Sequence, residues 1–278
     1  MMLNFLLTCL LVLPAAEKDT VLVPSVVSAS KLDPSVEKSA SPVTTVHLQE
    51  MQAFNLRRPL SLGALVPGLH IPDYGASLTS TIYMRGFGSR MENPVTALYL
   101  DDIPIIDKNA YDFEWEGIRS ASFLRGPQGT IFGRNSMCGV LSLRTVPTSH
   151  TSHLAYLEAG TAASFRAGTS FSLDRNRVTI GFKHTDGYFT NEYTGKECDP
   201  YTGGNLLWTW GKRANERLTI SNLFLLTASS EGGFAYGRFL EGKLQPVSFN
   251  DSNGYRRLST IEGFKLASSD RILLLCQV

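Results

Sequence analysis

The chain has 278 residues, 43% of them hydrophobic and 10% aromatic, which is enough apolar content for packed cores and too much for a disordered chain. Its 26 basic and 25 acidic residues leave a formal net charge of +1, without the cationic excess that nucleic-acid binding draws on, so no nucleic-acid partner is expected. The 24 glycines and 13 prolines lie among short apolar runs, the texture of strands and turns rather than of a helical bundle.

Residues 1–16 read as a signal peptide. Leu3 to Leu13 is almost continuously apolar, and Pro14, Ala15 and Ala16 supply the small residues of a cleavage site. The run is too short to span a bilayer. Cys9 sits inside it rather than at its end, which argues against lipidation. Cys138, Cys198 and Cys276 remain after cleavage, widely spaced and odd in number, which suits neither a disulfide framework nor a metal site. No metal and no cofactor is expected. Residues 17–42 form an N-terminal segment whose latter part, Pro24 to Pro42, is Ser-rich and Pro-containing and suited to a flexible linker.

Residues 43–147 read as a small α/β unit. Pro59 fits the first turn of a short helix carrying Leu60, Ala64 and Leu65, stopped by Pro67 and Gly68. Extended runs are expected at Thr79 to Met84, Val95 to Ile103, Ser120 to Leu124 and Val140 to Thr145, with one helical turn over Phe113 to Ile118.

Residues 151–278 change character. From Ser164 to Leu173 the odd positions are Phe165, Ala167, Thr169, Phe171 and Leu173, and the even ones are polar or small. The alternation returns in Val178, Ile180 and Phe182, in Leu206, Trp208 and Trp210, and in Leu218, Ile220 and Phe224. After Leu13 no stretch approaches the about eighteen apolar residues of a membrane helix, so entry into a membrane has to be by β-strands. Tight turns at Asp174 to Asn176 and Arg213 to Asn215 alternate with long polar connections, Asp186 to Gly203 and Thr227 to Gly254, the asymmetry of outer-membrane barrels. A soluble antiparallel sandwich also alternates and stays open as a second reading. Counting Leu154 to Ala159 and a last hairpin over Tyr255 to Val278, about seven strands are expected.

Four motifs follow one another in the α/β unit: Met84-Arg85-Gly86-Phe87-Gly88; Leu98 to Pro104; Leu124-Arg125-Gly126-Pro127-Gln128-Gly129-Thr130-Ile131-Phe132-Gly133-Arg134-Asn135; and Gly139-Val140-Leu141. Their order and spacing, directly before barrel-like hairpins, resemble the plug of TonB-dependent outer-membrane receptors. Cys138 departs from the Gly-Gly that this family tends to carry before its Val-Ile strand. The resemblance implies an α/β plug followed by antiparallel transmembrane strands, an exported protein in the outer membrane of a Gram-negative-type envelope, and contact with outer-membrane lipid. It also implies that Asp19, Thr20, Val21, Leu22 and Val23 are a TonB box, an extended segment able to add a strand to the sheet edge of its partner TonB.

On this reading Arg85, Arg125 and Arg134 would offer donors to carboxylates of the barrel wall. Gly86, Gly126, Gly133 and Gly139, with Pro127 and Asn135, would shape the turns of a structural or gating motif. Tyr74 and Tyr111, in plug segments 73–80 and 107–112, are candidate contacts for a small ligand. The family's role implies active uptake of a scarce ligand, a ferric siderophore first, with a corrinoid, haem or another small ligand as alternatives. Plugged transporters have about 22 strands, so about seven would not be expected to transport alone. A secreted β-rich binding protein and a TonB-interacting module without transport are the alternatives from other classes. No enzyme is expected: the five histidines lack metal spacing and no nucleophile-elbow or phosphate-loop pattern occurs.

Overall fold

The computed structural model describes residues 42–72, 81–89, 93–107, 110–111, 113–149, 153–188, 190–191, 196–197, 199–213, 218–232, 237–240, 243–246, 255–268 and 272–277. The expected signal peptide, TonB box, linker and Tyr74 lie outside them.

The first unit contains β1 (Val43–His47), α1 (Leu48–Ala53), a 3₁₀ helix (Pro59–Ala64), β2 (Leu69–His70), β3 (Tyr83–Met84), β4 (Thr96–Leu100), β5 (Ile103–Ile105), β6 (Ile118–Arg125), α2 (Gly129–Phe132) and β7 (Gly139–Thr145). Five of these strands form one mixed sheet in the order β1-β6-β7-β4-β5, in which β4 and β7 run parallel. All of β4 is buried because both sheet faces are covered. Leu98, Leu100, Leu141 and Leu143 pack on one face with Phe123 and Met84, while Ala97, Tyr99 and Val140 pack on the other against Phe132 of α2.

Two sequence expectations are corrected here. The run Val95 to Ile103 is a hairpin, not one strand: Asp101 and Asp102 have φ of 48° and 71°, the pair of positive angles that a two-residue turn with strand-matching twist requires. Their carboxylates close the end of β7, where Asp101 accepts from the Thr145 N–H at 2.9 Å and Asp102 pairs with Arg144 at 2.6 Å. Phe113 to Ile118 is not a helical turn: residues 113–115 carry no regular structure, and a turn over 116–117, closed by the Ile118 N–H on the Trp115 carbonyl at 3.1 Å, leads into β6.

The second unit is a seven-stranded antiparallel meander of β8 (Leu154–Ala159), β9 (Phe165–Leu173), β10 (Asn176–Thr185), β13 (Tyr201–Arg213), β14 (Leu218–Glu231), β17 (Tyr255–Ser268) and β18 (Ile272–Gln277). Two small hairpins, β11 (Thr190–Asn191) with β12 (Lys196–Glu197) and β15 (Gly237–Leu240) with β16 (Lys243–Pro246), occupy the long connections. The opposite links are short, as Asp174 and Arg175 between β9 and β10. The sheet does not close on itself among the described residues; β8 and β18 are its edges.

The faces decide between a barrel wall and a sandwich. Phe182 is 43% exposed and Leu173 66%, with Phe165, Phe171, Ile180 and Trp208 also exposed on that side, whereas Thr179, Ser170, Asn205 and Thr209 are buried against the first unit. A soluble sandwich buries its apolar face; this wall buries its polar one and turns the apolar one outward, as a lipid-facing barrel does. Among the described residues no helix is long and apolar enough to cross a membrane. Substituting Ile180→Arg is therefore expected to cost about 2–4 kcal/mol of folding in lipid if the residue sits near the midplane. The check is loss of the heat-modifiable, detergent-dependent folded band in outer-membrane extracts.

Candidate functional site

Residues 113–117 face two ways, running without regular structure into a turn over 116–117. Phe113 and Trp115 enter the core of the first unit, and Glu114 and Glu116 face the wall.

Arg166 of β9 meets both carboxylates, Glu114 at 3.0 Å and Glu116 at 2.7 Å, and also reaches Glu158 of β8 at 3.3 Å. Lys183 of β10 lies 3.6 Å from Glu114, and the Tyr156 hydroxyl donates to Glu116. Asn205 of β13 donates its amide to the Glu114 carbonyl at 3.2 Å. At the rim Arg57 pairs with Glu158 at 2.9 Å. Six charges thus balance across the junction: Arg57, Glu114 and Glu116 from the plug side, Glu158, Arg166 and Lys183 from the wall.

Their worth differs with exposure. Arg57 and Glu158 are a third or more exposed, so their pair contributes about 0–1 kcal/mol. Arg166 is 12% exposed and Glu116 8%, so removing one partner strands a charge that water cannot reach.

Two glycines make the approach possible. A Cβ on Gly181 would stand 2.9 Å from the Glu116 carboxyl carbon, so the wall leaves a slot where that side chain lies. Gly117, at φ 81°, would push a Cβ to 2.9 Å from Thr179 Oγ1. The backbone is tied as well: the Trp115 N–H donates to the Arg57 carbonyl at 2.7 Å, and the Val146 N–H to the Gly117 carbonyl at 2.9 Å. Leu207, Leu223 and Leu225 of the wall join the same apolar cluster as Trp115 and Phe113, making one continuous core.

The motif residues lie elsewhere, and among the described residues Arg125 and Arg134 bond to partners within the plug. Arg125 donates to Thr44 Oγ1 at 3.0 Å, tying β6 to β1, and Arg134 donates to Asn93 Oδ1 at 2.7 Å. Arg85 is exposed at the first position of a tight turn, Met84 to Phe87, with φ of 50° followed by 85° at Gly86. Gly126 and Gly133 also take positive φ, as does Asn135 at 66°; Pro127 is exposed. Gly139 is required for space, since a Cβ there would meet the Leu124 carbonyl at 2.6 Å.

The structure also corrects the exposure expected of Tyr111. It is 5% exposed, donates to the Thr96 carbonyl at 3.4 Å, and burial pushes its hydroxyl above the ordinary phenol value. Cys138 is a free thiol, its pKa raised by burial. Among the described residues no cluster of His, Cys, Asp and Glu suited to a metal occurs.

Residues 35–140 match the family model described as TonB-dependent Receptor Plug Domain. The pesticin receptor of Yersinia pestis is 30% identical over 256 residues, covering 86% of this chain and 35% of the receptor. The vitamin B12 transporter BtuB of Vibrio vulnificus (strain CMCP6) is 24% identical over 230 residues, covering 76% of the chain and 37% of the transporter. The solved ferric yersiniabactin uptake receptor FyuA from Yersinia pestis superposes with a TM-score of 0.63 at 21% identity, over 82% of this chain and 38% of that one. The chain therefore spans about a third of the length of the curated relatives it matches.

A plug domain seated on the polar inner face of strands whose apolar face turns outward defines a plugged outer-membrane receptor. The chain belongs to the TonB-dependent receptors, and the outer membrane is its location.

Two outcomes follow from the charge network. Arg166→Met should weaken plug docking by about 3–5 kcal/mol, and adding Glu114→Gln and Glu116→Gln should recover most of the loss, because no buried charge is then left unpaired. Protease protection of the plug in denaturant, in detergent-solubilised receptor, reads both.

The second outcome concerns pH. Glu114 has its carboxyl raised above the usual 4.5, by burial first and by Glu116 after it, against the opposing pull of Lys183 and Arg166. A carboxyl raised in the docked state stabilises docking below its ordinary value and loses that contribution as pH rises through the raised one. Docking should therefore strengthen on acidification from neutral toward the ordinary carboxylate range. Glu114→Gln should flatten that part of the protection-against-pH curve.

Proposed function

We propose that the protein acts in the active uptake of a scarce ligand across the outer membrane, a ferric siderophore first among candidates, driven by TonB. The carrying observation is the seated plug: a polar inner wall filled by a separate domain is an occluded passage, and an occluded passage in a family of receptors serves controlled entry. The ligand class is supported by the likeness to a ferric yersiniabactin uptake receptor. A corrinoid is the second reading, supported by the similarity to a vitamin B12 transporter.

TonB would engage Asp19, Thr20, Val21, Leu22 and Val23 by main-chain strand addition. No covalent chemistry is involved in this reading, and the relatives are receptors and transporters by name. Passage also needs a closed wall. The edges β8 and β18 present backbone groups that lipid cannot satisfy, so transport belongs to an assembly in which both edges are paired.

The test is uptake of radio-iron from iron-loaded yersiniabactin, with other ferric siderophores and cobalamin as a panel, by cells whose full-length receptor is the sole candidate importer. Deleting residues 19–23 should abolish uptake while leaving ligand binding at the cell surface. Uptake that persists without TonB, or binding of none of the panel, would overturn the reading.

A further inference from the structure

The segment 113–117 is held by backbone and side chains at once. It is bonded through its backbone to Arg57 and Val146 on its own unit and to Asn205 on the wall. Two of its side chains are embedded in the plug's core, and the two that alternate with them are paired on the wall. Its partners come from β8, β9, β10 and β13, four successive sheet neighbours, so the attachment is spread across the wall and is not a single contact.

The attachment is also close-fitting. Glu116 lies in a slot that a side chain at Gly181 would fill, and Gly117 lies where even a Cβ would press on Thr179 and Leu207. Complete withdrawal would take Glu114 and Glu116 away together, since they lie two residues apart on one segment, and would leave Arg166 with only the partly exposed Glu158 of its three carboxylates. A guanidinium that is 12% exposed then loses two of its three partners in one step.

We infer that residues Phe113 to Gly117 are a permanent anchor of the plug on strands β8, β9, β10 and β13, so that the passage for a ligand opens along other faces of the plug and not between this segment and that part of the wall. Arg166, Glu114 and Glu116 are then positioning residues. They fix the plug's orientation in the wall and touch no ligand. The inference rests on the transport reading above and deepens it by assigning which side of the plug stays closed.

A reversible staple across the anchor tests it. With Glu116→Cys and Gly181→Cys introduced together in the full-length receptor, a disulfide is sought across the slot, where a Cβ at 181 would lie 2.9 Å from the carboxyl carbon that ends the Glu116 side chain. Uptake of radio-iron from iron-loaded yersiniabactin is compared in the oxidised and reduced states of that one protein, with surface binding measured in both. Undiminished uptake in the oxidised state is the expected result. Uptake lost on oxidation and restored by reduction, with surface binding intact, would overturn the anchor; where the disulfide does not form, the rim staple below is read in its place.

Where the double variant binds nothing at the surface, Arg57→Cys with Glu158→Cys, joined by a short bis-maleimide, puts the staple at the rim instead and is read the same way. Failure of the unsubstituted receptor to take up any member of the panel sinks the transport reading and leaves the anchor to be judged on the disulfide alone.

Discussion

Arg166 brings two nearly buried carboxylates of one domain together with a partly exposed one of another, and the seating of the plug depends on that meeting. A guanidinium suits the task because its donors form a planar fork with several directions of approach, whereas an ammonium is a single point of charge. Lys183 takes the lesser role that fits it, at 3.6 Å from a carboxylate already held by the arginine. A network of this kind adds less net stability than an apolar junction of equal size would, because each charge must first be desolvated. It specifies position instead: an apolar face tolerates sliding, while these six groups meet opposite charges together in one arrangement.

The wall had to be polar on this side for a reason external to the plug. Its other face turns Phe182, Ile180 and Leu173 outward, and a strand has only two faces. Once lipid claims the apolar one, what remains toward the plug is Thr179, Ser170, Asn205 and Arg177, and the domain that fills the lumen has to answer polar groups with polar groups. Leu207, Leu223 and Leu225 are the exceptions; they meet the plug's own apolar cluster, so the junction combines a greasy patch that holds with a charged patch that orients.

Much of this was legible in the sequence. Alternation in Phe165 to Leu173 and in Val178 to Phe182 marked strands that the structure places within a residue or so, and the long and short links fell where the meander puts them. Alternation alone could not say which face is buried, because it is the same whether the apolar side meets lipid or a partner sheet. The plug's strands were found as apolar runs, but β1 and α1 were not, being short and weakly patterned. Asp101-Asp102 was read as a strand end rather than a turn, since two aspartates accept positive φ less readily than the Asn-Gly pairs that usually announce one.

The charged junction was missed for a more instructive reason. The arginines of the recognisable motifs were the conspicuous donors, yet Arg125 and Arg134 bond within the plug itself. The residues that meet the wall, Glu114 and Glu116, belong to no motif, but they carried a signal: Phe-Glu-Trp-Glu alternates apolar and acidic with period two, which marks a segment between two different surroundings and is not the spacing of a helical face. Gly181 carried a second one, a glycine in mid-strand, where a missing side chain points to the close approach of something else. Neither residue alone names its partner. The acidic pair needs a cation with several donors, the slot needs a side chain to enter it, and only the register that sets β9 beside β10 brings Arg166 and Gly181 to the same carboxylate. Local pattern can reveal that a segment faces two ways; what stands on the far side is a property of strand pairing, a non-local relation that no window of sequence contains.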